Sequence, residues 1–344
     1  MRTKAALLVE QHHPLIIDEI EVPKLSYGQV LVRINATRIC GSQLGEIDGA
    51  KGPDRFLPHL LGHEAGVEVL DLGPEVTQLR VGDHAVAHWR PGAGISAKST
   101  RYQWGDKYVN AGPITTFSQL AVISENRLTP VAKNTDPEIC ALLADTITTG
   151  FGTINQEAQV KIGESVVVIG VGGIGLGAVL GAKLAGAFPL LAVDLQPHKL
   201  EWARQNGATH TLNPSEHPDL AQAIETAIGG KADVIIDCTG SPKVLQAALV
   251  ATTRHGRVIG IGVMRNHQAL EFNTLPLHFG KLLKGTEGGQ SEPHIEIPRY
   301  LRMLQQGQLN LSHFVSHRVG LEEINQGIEL LRSGAAVHCL VHCQ

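Results

Sequence analysis

The chain has 344 residues, 29 Lys+Arg against 33 Asp+Glu for a formal net charge of -4, and 43% hydrophobic residues of which few are aromatic. Such a length suits two domains with large cores, and with no block of lysine or arginine the charge pattern argues against a nucleic-acid partner. No apolar run reaches membrane-spanning length, the N-terminus MRTKAALLVE lacks a leader's apolar core, and five cysteines in no paired framework fit a reducing compartment; a cytoplasmic protein without membrane contact is expected.

Residues 1 to about 145 read as short strands broken by glycine and proline: AALLVE, LIIDEIEV, QVLVRINATRI, AGVEVLDLG, DHAVAHW, FSQLAVIS and NRLTPV. That spacing predicts a small, partly open barrel rather than βαβ units. Within it, Cys40-Gly41-Ser42 follows a strand, and Gly62-His63-Glu64 places His63 twenty-three positions after Cys40. From Pro137 to Gly152 the pattern turns helical (PEICALLADTITTGFG), with Asp145 as the one acid in its apolar, threonine-rich part. A catalytic zinc takes three protein ligands from N, S and O donors and keeps one position open. Cys40, His63 and Asp145 meet that count, although each alone reads equally well as a packed thiol, a satisfied core histidine and a helix-end acid.

The stretch GESVVVIGVGGIGLGAVLGAKLAGAFPLLAVD, from Gly163 to Asp194, predicts strand, glycine turn, helix and second strand. Gly170 allows the sharp turn, Gly172 leaves room for a pyrophosphate at the backbone, and Gly175 lets the helix approach the sheet. Phosphates would sit at the helix N-terminus beside Gly173 and Ile174. Asp194 lies where an acid holds the adenosine ribose and repels a 2′-phosphate, which favours NAD over NADP. Lys199, opening the next helix, is placed to reach the same ribose or is a solvated surface lysine. Helix KLEWARQNGA, strand THTLN, a helix near residues 220 to 229, strand ADVIIDCTG, helix VLQAALVATT and strand GRVIGIG continue an alternation that gives a parallel sheet, with Gly262 joining the cofactor set. Two further helices, IPRYLRMLQQGQL and LEEINQGIELLRSG, precede a last strand, AVHCLVHC, whose His338, His342, Cys339 and Cys343 read as an ordinary terminal strand rather than a metal site. The predicted domains are 1–146 with 288–344, and 147–287.

GQVLVRINATRICGSQ, the Gly62 to Trp89 motif GHEAGVEVLDLGPEVTQLRVGDHAVAHW, TTFSQLAVISENRL, TITTGFGT, VVVIGVGGIGLGA with Asp194, and LEEINQGIELLRSGAAVHCLV together resemble the medium-chain dehydrogenase/reductase superfamily. Within it, the chain resembles the zinc-dependent alcohol dehydrogenases over nearly its full length. The resemblance implies a GroES-like barrel domain with catalytic residues, a Rossmann coenzyme domain, and a cleft between them. By position, Cys40 and His63 match two ligands of a catalytic zinc, and Asp145 stands where many members have cysteine and polyol-type members glutamate. Glu64 matches an acid that in some members ligates the metal or displaces its water. Ser42 matches the hydroxyl that takes the substrate proton, Thr149 a coenzyme contact, and Trp89 a wall of the substrate pocket. A homodimer or homotetramer is also implied.

Three departures stand out. Between Trp89 and Phe117 the family usually carries four cysteines around a structural zinc, and here PGAGISAKSTRYQWGDKYVNAGPIT carries none, so one catalytic ion and no structural one is expected. Gln43 replaces an aspartate that orients a zinc histidine, which bears on metal affinity. Gly45 replaces a relay histidine and leaves Glu46 as a candidate exit for the proton. The expected activity is zinc-dependent, NAD(H)-linked interconversion of an alcohol, polar or polyol-like, and its carbonyl, with Arg90, Lys98, Arg101 and Lys107 as candidate contacts for a polar substrate. A zinc-independent NAD(P)H enone or quinone reductase, and a non-enzymatic nucleotide sensor, are the alternatives.

Overall fold

Strand Gln29–Ile39, QVLVRINATRI, is buried along nearly its whole length because it is lined on both faces. Val30, Val32 and Ile34 enter one apolar core and Leu31 a second, so the two-residue period of a strand serves two cores at once. Around it the computed structural model, which describes all residues Met1–Gln344, forms two compact units. One comprises Met1–Asp145 with Glu292–Gln344, and the other Thr146–Ser291.

In the first unit, Gln29–Ile39 pairs antiparallel with Glu64–Leu72, Leu120–Ser124 and the C-terminal Cys339–His342. The sheet continues outward through His84–His88 to Leu128–Val131 on one side and to His317–Gly320 on the other. Five further strands, Arg2–Leu8, Ile16–Glu21, Arg101–Trp104, Lys107–Asn110 and His59–Leu60, close into a barrel. Two of these form the hairpin of the segment that lacks the zinc-lobe cysteines. That segment is held by buried polar groups: Glu125 accepts from the backbone N–H of Thr77, Gln78 and Ile95, Ser124 Oγ accepts from the N–H of Ala97, and the fully buried Tyr102 hydroxyl accepts from the N–H of Val122 at 2.7 Å.

Helix Pro137–Leu142 begins with proline after Asp136, whose carboxylate accepts from the N–H of Glu138 at 2.8 Å, a capped start with proline in the first turn. It lies directly on strand Glu64–Leu72 at Gly66, where a Cβ would come within 2.6 Å of Pro137 Cα. Glu138 ties the same helix to the C-terminal strands through a bidentate pair with Arg318, at 2.7 and 2.8 Å, and through His342 Nε2 at 3.0 Å. The turn that follows, Leu143–Ile147, is π-helical and contains Asp145, a conformation often found at functional positions.

The second unit is a six-stranded parallel sheet. In sequence order within the unit its strands stand three, two, one, four, five, six: His210–Leu212, Leu190–Val193, Val166–Ile169, Ala232–Asp237, Thr252–Gly260 and Leu282–Gly285. This is the doubly wound dinucleotide-binding order. No helix of the chain is long and apolar enough to cross a membrane.

Two outcomes follow for the helix that carries Asp145 into place. Gly66→Ala forces the Pro137 backbone away and lowers the denaturation midpoint by about 1–3 kcal/mol of stability; an unchanged urea transition contradicts the packing described. The Glu138 carboxyl is held below its usual range, first by the hydrogen bond from Arg318, against partial desolvation. Its contribution is therefore fully present above its ordinary value of 4.5 and lost as pH falls below it. Thermal melts of Glu138→Gln should lie below the parent at neutral pH and converge with it in acid.

Candidate active site

Strand pairing brings the first two candidate ligands together. Thr37 is paired with Ala65, so Cys40, just past the end of one strand, and His63-Glu64, at the start of the other, lie at the same edge. Helix Pro137–Leu142, seated on Gly66, delivers Asp145 to that edge. Cys40, His63, Glu64 and Asp145 consequently present ligand atoms that all lie within 4.8 Å of one another. His63 Nε2 is 3.4 Å and Cys40 Sγ 3.8 Å from Asp145 Oδ2. Tetrahedral zinc with bonds of about 2.0–2.3 Å separates its ligands by about 3.3–3.6 Å, so the spacing fits. The environment fits as well, because His63 Nε2 and Glu64 Oε2 are buried without a hydrogen-bond partner.

The charges point the same way. Glu64 and Asp145 are both buried, and burial, with Asp145 adding to it, pushes the Glu64 carboxyl up to about 7 against the opposing pull of Arg38. Arg38, 2% exposed, places Nη2 at 2.8 Å from Glu64 Oε1 and 3.9 Å from Asp145 Oδ2. Burial alone would discharge it, yet Glu64, Cys40 and Asp145 keep the guanidinium charged. Behind it, His338 Nδ1 lies 3.4 Å from Arg38 Nη1, and burial followed by that charge keeps the imidazole neutral. Burial pulls the His63 imidazole down, but the hydrogen bonds and charge of Asp145 and Cys40 hold it well above its ordinary value, so this edge draws in positive charge, which a divalent ion would supply.

Trp89 is expected from the sequence as a pocket wall; in the structure its Nε1–H donates to Asp145 Oδ1 at 2.9 Å and leaves Oδ2 facing His63. Glu64 pairs with His88 across the sheet, which explains why Trp89 is so near. Gln43 reaches both Cys40 N–H and His63 Nδ1, each at 2.7 Å. Ser42 Oγ is buried with no hydrogen-bond partner. A cavity of about 810 Å³ opens on Gln43 and His63 and is lined further by Glu46, Asp54, His59 and Arg101. Of the four cationic residues proposed for a polar substrate, Arg101 alone lines it; Arg90 stacks over Trp89 and Lys107 over Trp104. Sequence reasoning missed Arg38, whose signal was a lone charge in the apolar run INATRIC.

In the other unit, strand Val166–Ile169 turns at Gly170, with φ +86°, into helix Gly173–Leu184. A Cβ at Gly175 would stand 2.0 Å from Gly170 O, whereas one at Gly172 would meet nothing within 4 Å. That open position over the helix N-terminus, where backbone N–H groups lack helical partners, fits a pyrophosphate. Asp194 ends strand Leu190–Val193, with Oδ2 accepting from Val171 N–H and Oδ1 from Gln196 N–H, each at 2.9 Å. Lys199 lies half-buried in helix Pro197–Gln205, Thr149 is buried in helix Thr148–Gly152, and Gly262 packs so tightly that a Cβ would meet Gly240 N at 2.1 Å.

Family models match both units: the alcohol dehydrogenase GroES-like domain over residues 26–133 and the zinc-binding dehydrogenase over residues 173–306. Alcohol dehydrogenase class-3 of Cereibacter sphaeroides is 32% identical, covering 99% of this chain and 100% of its own length. S-(hydroxymethyl)glutathione dehydrogenase of a Synechocystis species is 30% identical with the same coverage. Among solved structures, benzyl alcohol dehydrogenase from Acinetobacter calcoaceticus superimposes with a TM-score of 0.88 at 26% identity, covering 100% of both chains. 2R,3R-butanediol dehydrogenase from Bacillus subtilis gives 0.80 at 26% identity over 99% of each.

The Arg38–Glu64 pair is directly testable. Arg38→Met strands a buried carboxylate and should cost about 3–5 kcal/mol in urea unfolding. Adding Glu64→Gln should restore part of that loss, and a single variant as stable as the parent would contradict the pairing.

Proposed function

Because the chain belongs to the zinc-type medium-chain dehydrogenase/reductase family and is an NAD-dependent alcohol dehydrogenase, we propose that one catalytic zinc is held by Cys40, His63 and Asp145, with Glu64 as a neighbouring carboxylate able to exchange with them. Convergence of these four side chains at one buried edge is the observation that carries the reading. Bound there, zinc would supply Lewis acidity toward the substrate oxygen, and NAD the hydride acceptor.

The chain's own residues do the rest. Ser42, with a buried and unpartnered hydroxyl, takes the proton of the alcohol. Trp89 fixes the carboxylate of Asp145, and Arg38 draws Glu64 away from the shared center. Glu46, on the wall of the cavity that opens on His63, offers an exit for the proton. Coenzyme is bound at Gly170, Gly172, Gly173, Ile174 and Gly175, with Thr149 and Gly262 as further contacts and Asp194 and Lys199 at the ribose. The carboxylate of Asp194 keeps acceptor capacity beyond its two backbone bonds. No second, structural ion is proposed, since the segment between Trp89 and Phe117 lacks cysteine. Assembly as a homodimer or homotetramer, in a reducing cytoplasm that suits five free thiols, completes the reading.

The charged and hydrogen-bonding lining of the cavity favours a polar or polyol-like alcohol. Coenzyme reduction across sugar alcohols, hydroxy acids, 2,3-butanediol, benzyl alcohol and S-(hydroxymethyl)glutathione separates that class from the substrates named for the relatives. Elemental analysis should return about one zinc per chain. Asp145→Ala should lose the metal and at least about 10³-fold in kcat/KM, the scale of several kcal/mol of charge stabilisation, while NADH fluorescence titration stays unchanged. Undiminished turnover by metal-free Asp145→Ala would sink the assignment in favour of a zinc-independent reductase.

A further inference from the structure

The register of the barrel gathers positive charge on the wall of the cavity that opens at His63. Arg101 stands opposite Asn110 in its hairpin, and Asn110 stands beside His59 in the next strand. Segment 51–56, between helix Gly41–Ile47 and strand His59–Leu60, is tied to the barrel by side chains. Asn110 Nδ2 donates to Phe56 O at 2.7 Å, while Gln11 donates to Gly52 O and accepts from Asp54 N–H, each at 3.2 Å. Lys51 and Arg55 of that segment therefore line the cavity together with Arg101. All three are exposed, and none forms an ion pair with a carboxylate, unlike Arg33, Arg38, Arg257, Arg318 and Arg332 elsewhere in the chain. Arg55 rests over the Phe56 ring at 5.0 Å, a contact that orients the guanidinium and leaves its charge in place. Asp54, one of two acids in the lining with Glu46, is engaged elsewhere: Oδ1 accepts from Phe56 N–H at 2.8 Å and Oδ2 meets His59 Nε2 at 2.7 Å.

We propose that the substrate alcohol carries an anionic substituent, phosphoryl or carboxylate, bound by Lys51, Arg55 and Arg101, and that His59 is a positioning residue that keeps Asp54 off these cations. The inference deepens the reading in which the cavity beside His63 holds a polar alcohol, and rests on it. In a chain of net charge -4, an unpaired cationic wall in a concave site attracts anions specifically. The guanidinium groups offer paired donors to a carboxylate or phosphoryl group, and the lysine a mobile point charge. A neutral polyol would leave that charge to water. Without His59, the Asp54 carboxylate is released to turn toward Arg55, its neighbour in the chain, and the wall loses the charge on which selection depends.

The zinc-loaded, full-length enzyme is assayed by coenzyme reduction on matched alcohols: glycerol against glycerate and glycerol 3-phosphate, and sorbitol against sorbitol 6-phosphate. An anionic member should exceed its neutral partner in kcat/KM by at least about 10-fold, the scale of one hydrogen bond to a charged group. That advantage should lie mainly in KM and shrink with added salt. A greater gain for phosphate or for carboxylate identifies the substituent, and either supports the proposal. Arg55→Gln and Arg101→Gln, both at exposed positions, should each reduce the advantage at least about 3-fold, a partial loss of such a bond. His59→Leu should reduce it as well, and adding Asp54→Asn should restore it, which a merely structural role for His59 does not predict. Equal kcat/KM within every pair, or arginine variants that raise KM for NAD instead of for the anionic alcohol, overturn the proposal and leave the metal reading standing. If the zinc-loaded enzyme oxidises no alcohol of either kind, both fall.

Discussion

Two carboxylates, a thiol and an imidazole crowd into one buried edge of the barrel domain with a single guanidinium for company. Unpaired charges are among the most costly groups to bury, so this arrangement is stable only where positive charge is supplied. Arg38 supplies part of it, by direct contact with Glu64 and a longer approach to Asp145. The remainder is a demand for positive charge, and it is this demand, rather than the presence of any one ligand type, that makes the edge a candidate metal center.

The fold meets the demand by register. Pairing of Thr37 with Ala65 aligns the end of one strand with the start of another, and Gly66, lacking a Cβ, lets the helix carrying Asp145 settle against the same strand. Trp89 comes in on the next strand over and takes one oxygen of Asp145, which leaves the other oxygen aimed at His63. Each ligand is therefore fixed by a backbone contact or a neighbouring side chain. Preorganisation of this kind is what a Lewis-acid site needs.

The segment between Trp89 and Phe117, which carries no cysteine, is held by a buried carboxylate and a buried tyrosine. Glu125 gathers three backbone N–H groups from two loops, and the Tyr102 hydroxyl satisfies a fourth. Buried polar groups that are fully paired can hold an irregular segment in one conformation, and the hairpin they hold also closes the barrel.

Much was legible in the residues themselves wherever structure depends on near neighbours. The strand, glycine turn and helix around Gly170, the acid at Asp194, the short strands of the first domain and the alternation of the second all follow from periodicity and from backbone freedom at particular glycines. The domain boundary, by contacts, falls after Asp145 and before Glu292, within a few residues of the composition change. The sequence could nominate Cys40, His63 and Asp145 as chemically suitable, but chain spacing says nothing about whether residues a hundred positions apart converge. Only tertiary structure decided that they do, that Trp89 is a hydrogen-bond donor rather than merely a wall, that Arg38 faces Glu64, and that Gln43 spans two ligands. The physical reason is that local conformation is set by interactions a few residues long, whereas the charge balance and hydrogen-bond register of a buried site are set by groups that meet only once the sheet has closed.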